Sequence, residues 1–242
     1  MSCRKLNSRE WFFHVNDSLV LELQNIIRAL SIEDGVSRFS FRSNQAFGAQ
    51  ASGEAGILFR NDEMRQRAFR HWFWNYSMAG AGSVGLTNTR IITTNHEWAP
   101  KLHNAVYVVY RQNQLNSLPL EYPRRSSGWI RREATRRAHA YAIYLRNFEL
   151  ERLKTSFYLF IGKQVCWENQ RASISFDEDD LMGFWNNEMG RQDRANMANI
   201  GYLDRPLTLF NRSWDSGRLI RNHQEVTREI QETIFYNDWW HN

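Results

Sequence analysis

Residues 129–148 read WIRREATRRAHAYAIYLRNF. Ile130, Ala134, Ala138, Tyr141, Leu145 and Phe148 recur every three or four positions. That spacing stacks side chains on one face of an α-helix. Arg131, Arg132, Arg136 and Arg137 fall on the remaining faces, as a solvated surface or a basic patch. The pattern predicts one long helix from about Trp129 to Val165. A stripe of that length must be buried against other helices, so the expected class is mainly α.

Working outward, Pro119, Pro123 and Ser126-Ser127-Gly128 mark a linker from Leu115 to Gly128. Before it, Leu102, Ala105, Val106 and Val109 give the stripe of a helix over Lys101 to about Gln114, with Pro100 in its first turn. Thr87 to Thr94 is a short β-branched stretch. A further helix starts at the N-cap Asn61 or Asp62 and runs to about Met78, where Ala79 to Gly85 (AGAGSVG) breaks it. Ser31 to Gly56 is rich in short polar residues and glycine and reads as a long loop, with slight strand character around Phe39 to Phe41. Leu19, Leu23, Ile26, Ile27 and Leu30 sit at helical spacing nearer the N-terminus. Downstream, Asp177 to Asp180 open a helix that runs to about Ile200, with acids where the helix dipole favours them. Pro206 to Gly217 reads as irregular, and a last helix spans about Asn222 to Phe235. The tail Trp239-Trp240-His241-Asn242 is expected to dock back onto the body. The sum is a single helical domain over residues 1–242, with about six helices, one core and long irregular loops.

Composition narrows the classes. The chain has 242 residues, is 42% hydrophobic and carries a net charge of +5, so it is neither disordered nor fibrous. No apolar run approaches the roughly 20 residues of a membrane-spanning helix. Met1 to Phe13 carries charges and no apolar signal-type segment, so export is expected through a specialised machine rather than a Sec signal. Cys3 and Cys166 are the only cysteines; they allow one pair, and the expectation is two free thiols. Lys5, Lys101, Lys154 and Lys163 are the only lysines, so the basic charge is mostly arginine, which suits carboxylate and phosphate partners.

Three segments are polar where a structural helix would be apolar. The first is Arg70-His71-Trp72-Phe73-Trp74-Asn75, in which His71 and Asn75 share a helix face with Arg67 one turn earlier. The second is Asn95-His96-Glu97. Adjacent helix positions point about 100° apart, so one of His96 and Glu97 faces a site while the other braces a neighbour. The third is Asn186-Asn187-Glu188-Met189-Gly190-Arg191. Paired asparagines and a glycine in mid-helix are unfavourable unless another backbone or a ligand comes close.

In order and spacing these segments resemble a helical domain family of poorly defined activity, found at the C-termini of bacterial polymorphic toxins and secreted effectors. Its pattern is Arg-His-x-x-Trp-Asn, then His-Glu, then Asn-Asn-x-x-Gly-Arg. Here the matching residues are Arg70, His71, Trp74 and Asn75, then His96 and Glu97, then Asn186, Asn187, Gly190 and Arg191. The likeness covers about residues 62–200. Two positions depart from it: the family commonly carries aspartates where this chain has Arg67 and Gly183, and Asp179 and Asp180 are the nearest replacements.

The resemblance implies an antibacterial toxin or effector, made without a Sec signal, delivered into a competitor, and neutralised by a cognate immunity protein. It implies a hydrolase with His71, His96 and Glu97 as catalytic residues, and with Arg70, Asn75, Asn186, Asn187 and Arg191 holding substrate oxygens or anionic groups. The set admits a divalent metal without fixing its identity. Ten Trp, nine Tyr and 15 Phe point to an envelope substrate, such as a lipid-linked precursor, peptidoglycan or phospholipid, and to peripheral membrane contact. The alternatives are a nuclease, disfavoured because the basic residues do not cluster with the motifs, and a binding module with a degenerate site. His103, seven residues after His96, is the reserve histidine.

Overall fold

The structure is a computed structural model that describes residues 38–82, 84–159, 164–167, 170–197 and 206–236. The expected helix at Leu19 to Leu30 and the aromatic tail lie outside the described residues. The class is mainly α. In chain order the elements are α1 (Arg38–Leu58), α2 (Glu63–Gly80), α3 (Gly85–Glu121), α4 (Ser127–Leu159), β1 (Gln164–Trp167), β2 (Gln170–Ser173), α5 (Glu178–Met197), α6 (Pro206–Asp215), a 3₁₀ turn (His223–Glu225) and α7 (Arg228–Tyr236).

Several boundaries fall where residue chemistry puts them. Asp62 caps α2 by accepting from the Arg65 amide at 2.9 Å. Asp177 and Asp180 cap α5 reciprocally, each carboxylate accepting the other's backbone N–H at 2.8 and 3.0 Å. Ile130, Ala134, Ala138, Tyr141 and Leu145 are all buried along α4.

Other boundaries differ from expectation. The loop expected over Ser31 to Gly56 is largely helix α1, whose small Ala51 and Ala55 are buried in the core and permit close packing. The β-branched stretch Thr87 to Thr94 lies inside α3. Thr89 and Thr93 fit there because their hydroxyls bond the carbonyls of Gly85 and Thr89, at 2.6 and 2.9 Å. Pro100 does not start a helix but sits within α3, as does Pro119 near its end. Each removes one i→i−4 bond, a cost that the buried neighbours Trp98, Ala99 and Leu118 offset. Residues 206–215, expected to be irregular, form α6 with proline at the first turn. The long helix stops at Leu159 rather than Val165. Val165 joins a two-stranded antiparallel ladder, opposite Ala172, with Trp167 opposite Gln170. Cys166 is disulfide-bonded, not a free thiol; the only other cysteine of the sequence is Cys3, outside the described residues.

The chain divides into two compact units. One takes in residues 98–175, namely the rest of α3 with α4 and the hairpin. There Leu118, Ile130 and Ala134 pack together, and Tyr110 stacks on Tyr141 at 4.1 Å between centroids. The other takes in residues 34–97 and 176–242. Its core is aromatic: Phe69 stacks on Phe73 at 5.1 Å and meets Phe210 edge-on at 4.9 Å, while Trp72 stacks on Tyr76 at 4.8 Å. Part of the aromatic richness of the sequence is core, since Trp72, Trp74, Trp98, Trp167, Tyr76 and Tyr141 are buried. Helices α2 and α5 touch backbone to side at Gly190. A Cβ there would collide with the Trp72 carbonyl oxygen and lie 3.1 Å from its Cα. This contact explains the unfavourable mid-helix glycine. No helix among the described residues is long and apolar enough to cross a membrane.

Candidate active site

The three polar segments converge within the second of these units. Asn75 of α2 and Asn187 of α5 are joined directly, Asn75 Nδ2 donating to Asn187 Oδ1 at 2.6 Å. Asn187 Nδ2 donates to Glu97 Oε1 of α3 at 3.1 Å. His71 Nδ1 lies 3.2 Å from Asn187 Oδ1 and 3.5 Å from Glu97 Oε1. Asn75 Nδ2 also reaches the His71 carbonyl at 3.1 Å, the i,i+4 partner expected from their shared face.

The polarity of this chain of amides is set from below. Arg191 is a permanent donor. Its Nη1 donates to Asn75 Oδ1 at 2.6 Å and to the Thr93 hydroxyl at 2.7 Å. Asn75 must therefore turn its oxygen toward Arg191 and its NH₂ toward Asn187. Asn187 in turn presents its oxygen to Asn75 and His71, and its NH₂ to Glu97. An oxygen cannot donate, so His71 carries its proton on Nδ1 and leaves Nε2 as a bare lone pair. Arg191 is held in place by Glu188, with Nε and Nη2 at 2.9 and 2.7 Å from Oε2. Arg90 adds a longer contact to the other Glu188 oxygen, at 3.4 Å.

Exposure separates the working groups from their supports. Asn75 and Asn187 are 0% and 1% exposed, whereas the His71 and Glu97 side chains are 14% and 13% exposed. Asn75, Asn187 and Arg191 are buried and bond one another beneath the more exposed pair. Burial pushes His71 down to about 3, with Arg70 and Arg67 adding to the effect. Burial pushes Glu97 up to about 7, helped by the charge of Asp180 and opposed by the Asn187 hydrogen bond. At neutral pH His71 is uncharged and Glu97 is near its midpoint.

The other expected residues are placed as follows. His96 makes no hydrogen bond with the pair: its ring is edge-on to Trp74 at 5.2 Å, desolvation lowers its pKa and its charge acts on His71, while the carboxylate beside His71 Nδ1 is Glu97 at 3.5 Å. Asn186 lies outside the site. Its amide closes a double hydrogen bond with the Ile220 backbone, 3.0 Å each way, which ties the segment after α6 to α5. Arg70 is exposed and its charge is felt by His71 and Glu97. Arg67 acts on both in the same way and is ion-paired with Asp179, which also accepts from His223 Nε2 at 2.7 Å. Of the two aspartates one turn before Gly183, Asp179 is taken up by Arg67 and His223, and the charge of Asp180 reaches Glu97. Gly183 backs directly onto the pair, since a Cβ there would lie 3.2 Å from both Glu97 Oε1 and His71 Cε1.

Four structural residues went unnoticed in the sequence. Glu188 and Arg191 are i,i+3 neighbours, a spacing that flags an ion pair. Thr93 and Arg90 carry no motif. Asp193 accepts from Trp72 Nε1 at 2.8 Å and Ser213 Oγ at 2.7 Å and pairs with Arg218, locking α2, α5 and α6 together. Among the described residues no group of three or more His, Cys, Asp or Glu is placed to hold a metal ion. No protein-family model, no curated protein and no solved structure matches the chain.

Proposed function

We propose that this chain is an antibacterial toxin or effector whose active centre hydrolyses a bond in a cell-envelope substrate. Such a toxin requires a cognate immunity protein and a delivery machine as partners. The observation that supports this most is the convergence itself: three segments far apart in sequence supply one relay, Glu188–Arg191–Asn75–Asn187, that ends on the His71/Glu97 pair.

His71 Nε2 is the general base that takes a proton from water, while Asn187 Oδ1 accepts the Nδ1 proton and holds the ring, with Glu97 3.5 Å from Nδ1. A base held near 3 is weak by itself. Ionisation of Glu97, 3.5 Å from Nδ1, strengthens it, and Glu97 titrates near neutrality. Arg67 and Arg70 place positive charge beside them, which favours a substrate with an anionic group such as a phosphate.

The test is to express the chain in bacteria, with and without a fused Sec signal, beside folded His71→Ala and Glu97→Gln variants, and to count survivors. Killing that needs the signal and is lost in both variants supports the envelope hydrolase. Killing without the signal moves the target to the cytoplasm, nucleic acid included. Equal killing by the folded variants removes the catalytic reading.

A further inference from the structure

The connection between α3 and α4 carries an unusual combination of exposed groups. Pro119, Leu120, Tyr122 and Pro123 are exposed, and Leu120 keeps 83% of its surface in solvent. Directly after them come Arg124, Arg125, Arg131 and Arg132, also exposed. The nearby acids do not neutralise these four. Glu133 is held by Arg136 at 2.6 Å and Arg137 at 2.9 Å, and Glu121 is 3.4 Å from Arg137. Among the described residues none of the four makes an ion pair, and the N-terminal end of α4 at Ser127 adds its own positive partial charge.

We propose that residues 119–132 form a docking tip for an anionic lipid surface, with Leu120 and Tyr122 entering the headgroup layer and the four arginines engaging lipid phosphates. An aliphatic side chain exposed this far gains from leaving water, and an arginine fork matches a phosphate. Tyrosine and tryptophan suit the interfacial layer, where one end of the ring is apolar and the other wet. Nucleic acid fits less well. Base stacking needs an open aromatic face, and the Trp129 ring is already covered by Arg125 at 5.1 Å and met edge-on by Tyr122 at 5.3 Å. The inference uses residues of the unit that lacks His71, so it stands or falls apart from the hydrolase reading.

The experiment is co-sedimentation of the full chain with vesicles of phosphatidylcholine alone, and of phosphatidylcholine mixed with phosphatidylglycerol. Binding is expected only to the mixed vesicles and should weaken with salt. Each arginine replaced by glutamine should lower partitioning about five-fold, so Arg131→Gln with Arg132→Gln should lower it about 25-fold. Leu120→Ser should weaken binding while leaving the salt dependence unchanged. All these side chains are exposed, and circular dichroism checks that the variants fold. Equal binding to both vesicle types, no binding to either, or variants that bind like the parent would overturn the proposal. So would loss of oligonucleotide binding, rather than vesicle binding, in the arginine variants, which would assign the patch to nucleic acid.

Discussion

Arg191→Met probes the base of the relay. Arg191 and Glu188 are 4% and 3% exposed, so the substitution strands a carboxylate inside the protein. Breaking one side of a buried ion pair costs about 3–5 kcal/mol. Arg90 remains 3.4 Å from Glu188 and supplies part of the lost charge, which places the expected loss near the lower end, at about 3 kcal/mol. Asn75 Oδ1 keeps the Thr93 hydroxyl at 2.9 Å, so its own loss is smaller. Adding Glu188→Leu removes the stranded charge. The double variant should then sit about 1 kcal/mol below the parent, the net worth of the hydrogen bonds Arg191 no longer makes. Urea unfolding followed by circular dichroism reads both values. A single variant within experimental error of the parent, or a double variant no more stable than the single, would refute the idea that this pair anchors the relay.

Other expectations follow from the same geometry. The pH dependence of stability has opposing parts. His71 is depressed from 6.5 to about 3, so its contribution is present above 6.5 and is lost as pH falls toward 3. Glu97 is raised from 4.5 to about 7, so its contribution is present below 4.5 and is lost as pH rises toward 7. The two oppose between about 4.5 and 6.5; His71→Gln should expose the fall on raising pH, and Glu97→Gln the fall on lowering it, in unfolding titrations. Asn186→Ala should cost about 1–3 kcal/mol by freeing the Ile220 backbone, yet leave the His71 imidazole resonances in place, whereas Asn187→Ala should move them. Gly190→Ala gains about 1 kcal/mol of helix propensity but drives a methyl into the Trp72 carbonyl, so thermal unfolding should show a net loss of stability.

The sequence made the long amphipathic helix α4 legible because its stripe repeats for several turns, and α2 and α5 because Asp62 and Asp177 mark their starts. It hid α1, where alanine, serine and glycine give little periodicity and the helix is held by packing. It hid the continuity of α3, where threonine and proline argue locally against helix and buried neighbours override them. The site was legible as residue types at helical spacing. Which of His96 and Glu97 turns inward was not, because the 100° between adjacent positions says only that one does. Asn186 and Asn187 are subject to the same angle: one reaches a loop backbone and the other the relay. Asp193 was invisible because its partners Trp72, Ser213 and Arg218 come from three separate segments.

The central claim is that burial keeps His71 neutral, while an amide relay fixed by Arg191 holds its proton on Nδ1 and leaves Nε2 free. Nitrogen-15 NMR of the imidazole rings across a pH series tests this most directly. A single neutral tautomer protonated at Nδ1, persisting from neutral pH down to about pH 4, is the predicted result, with that tautomer lost in Arg191→Met. A proton on Nε2, or an imidazolium already formed near pH 6, would contradict it.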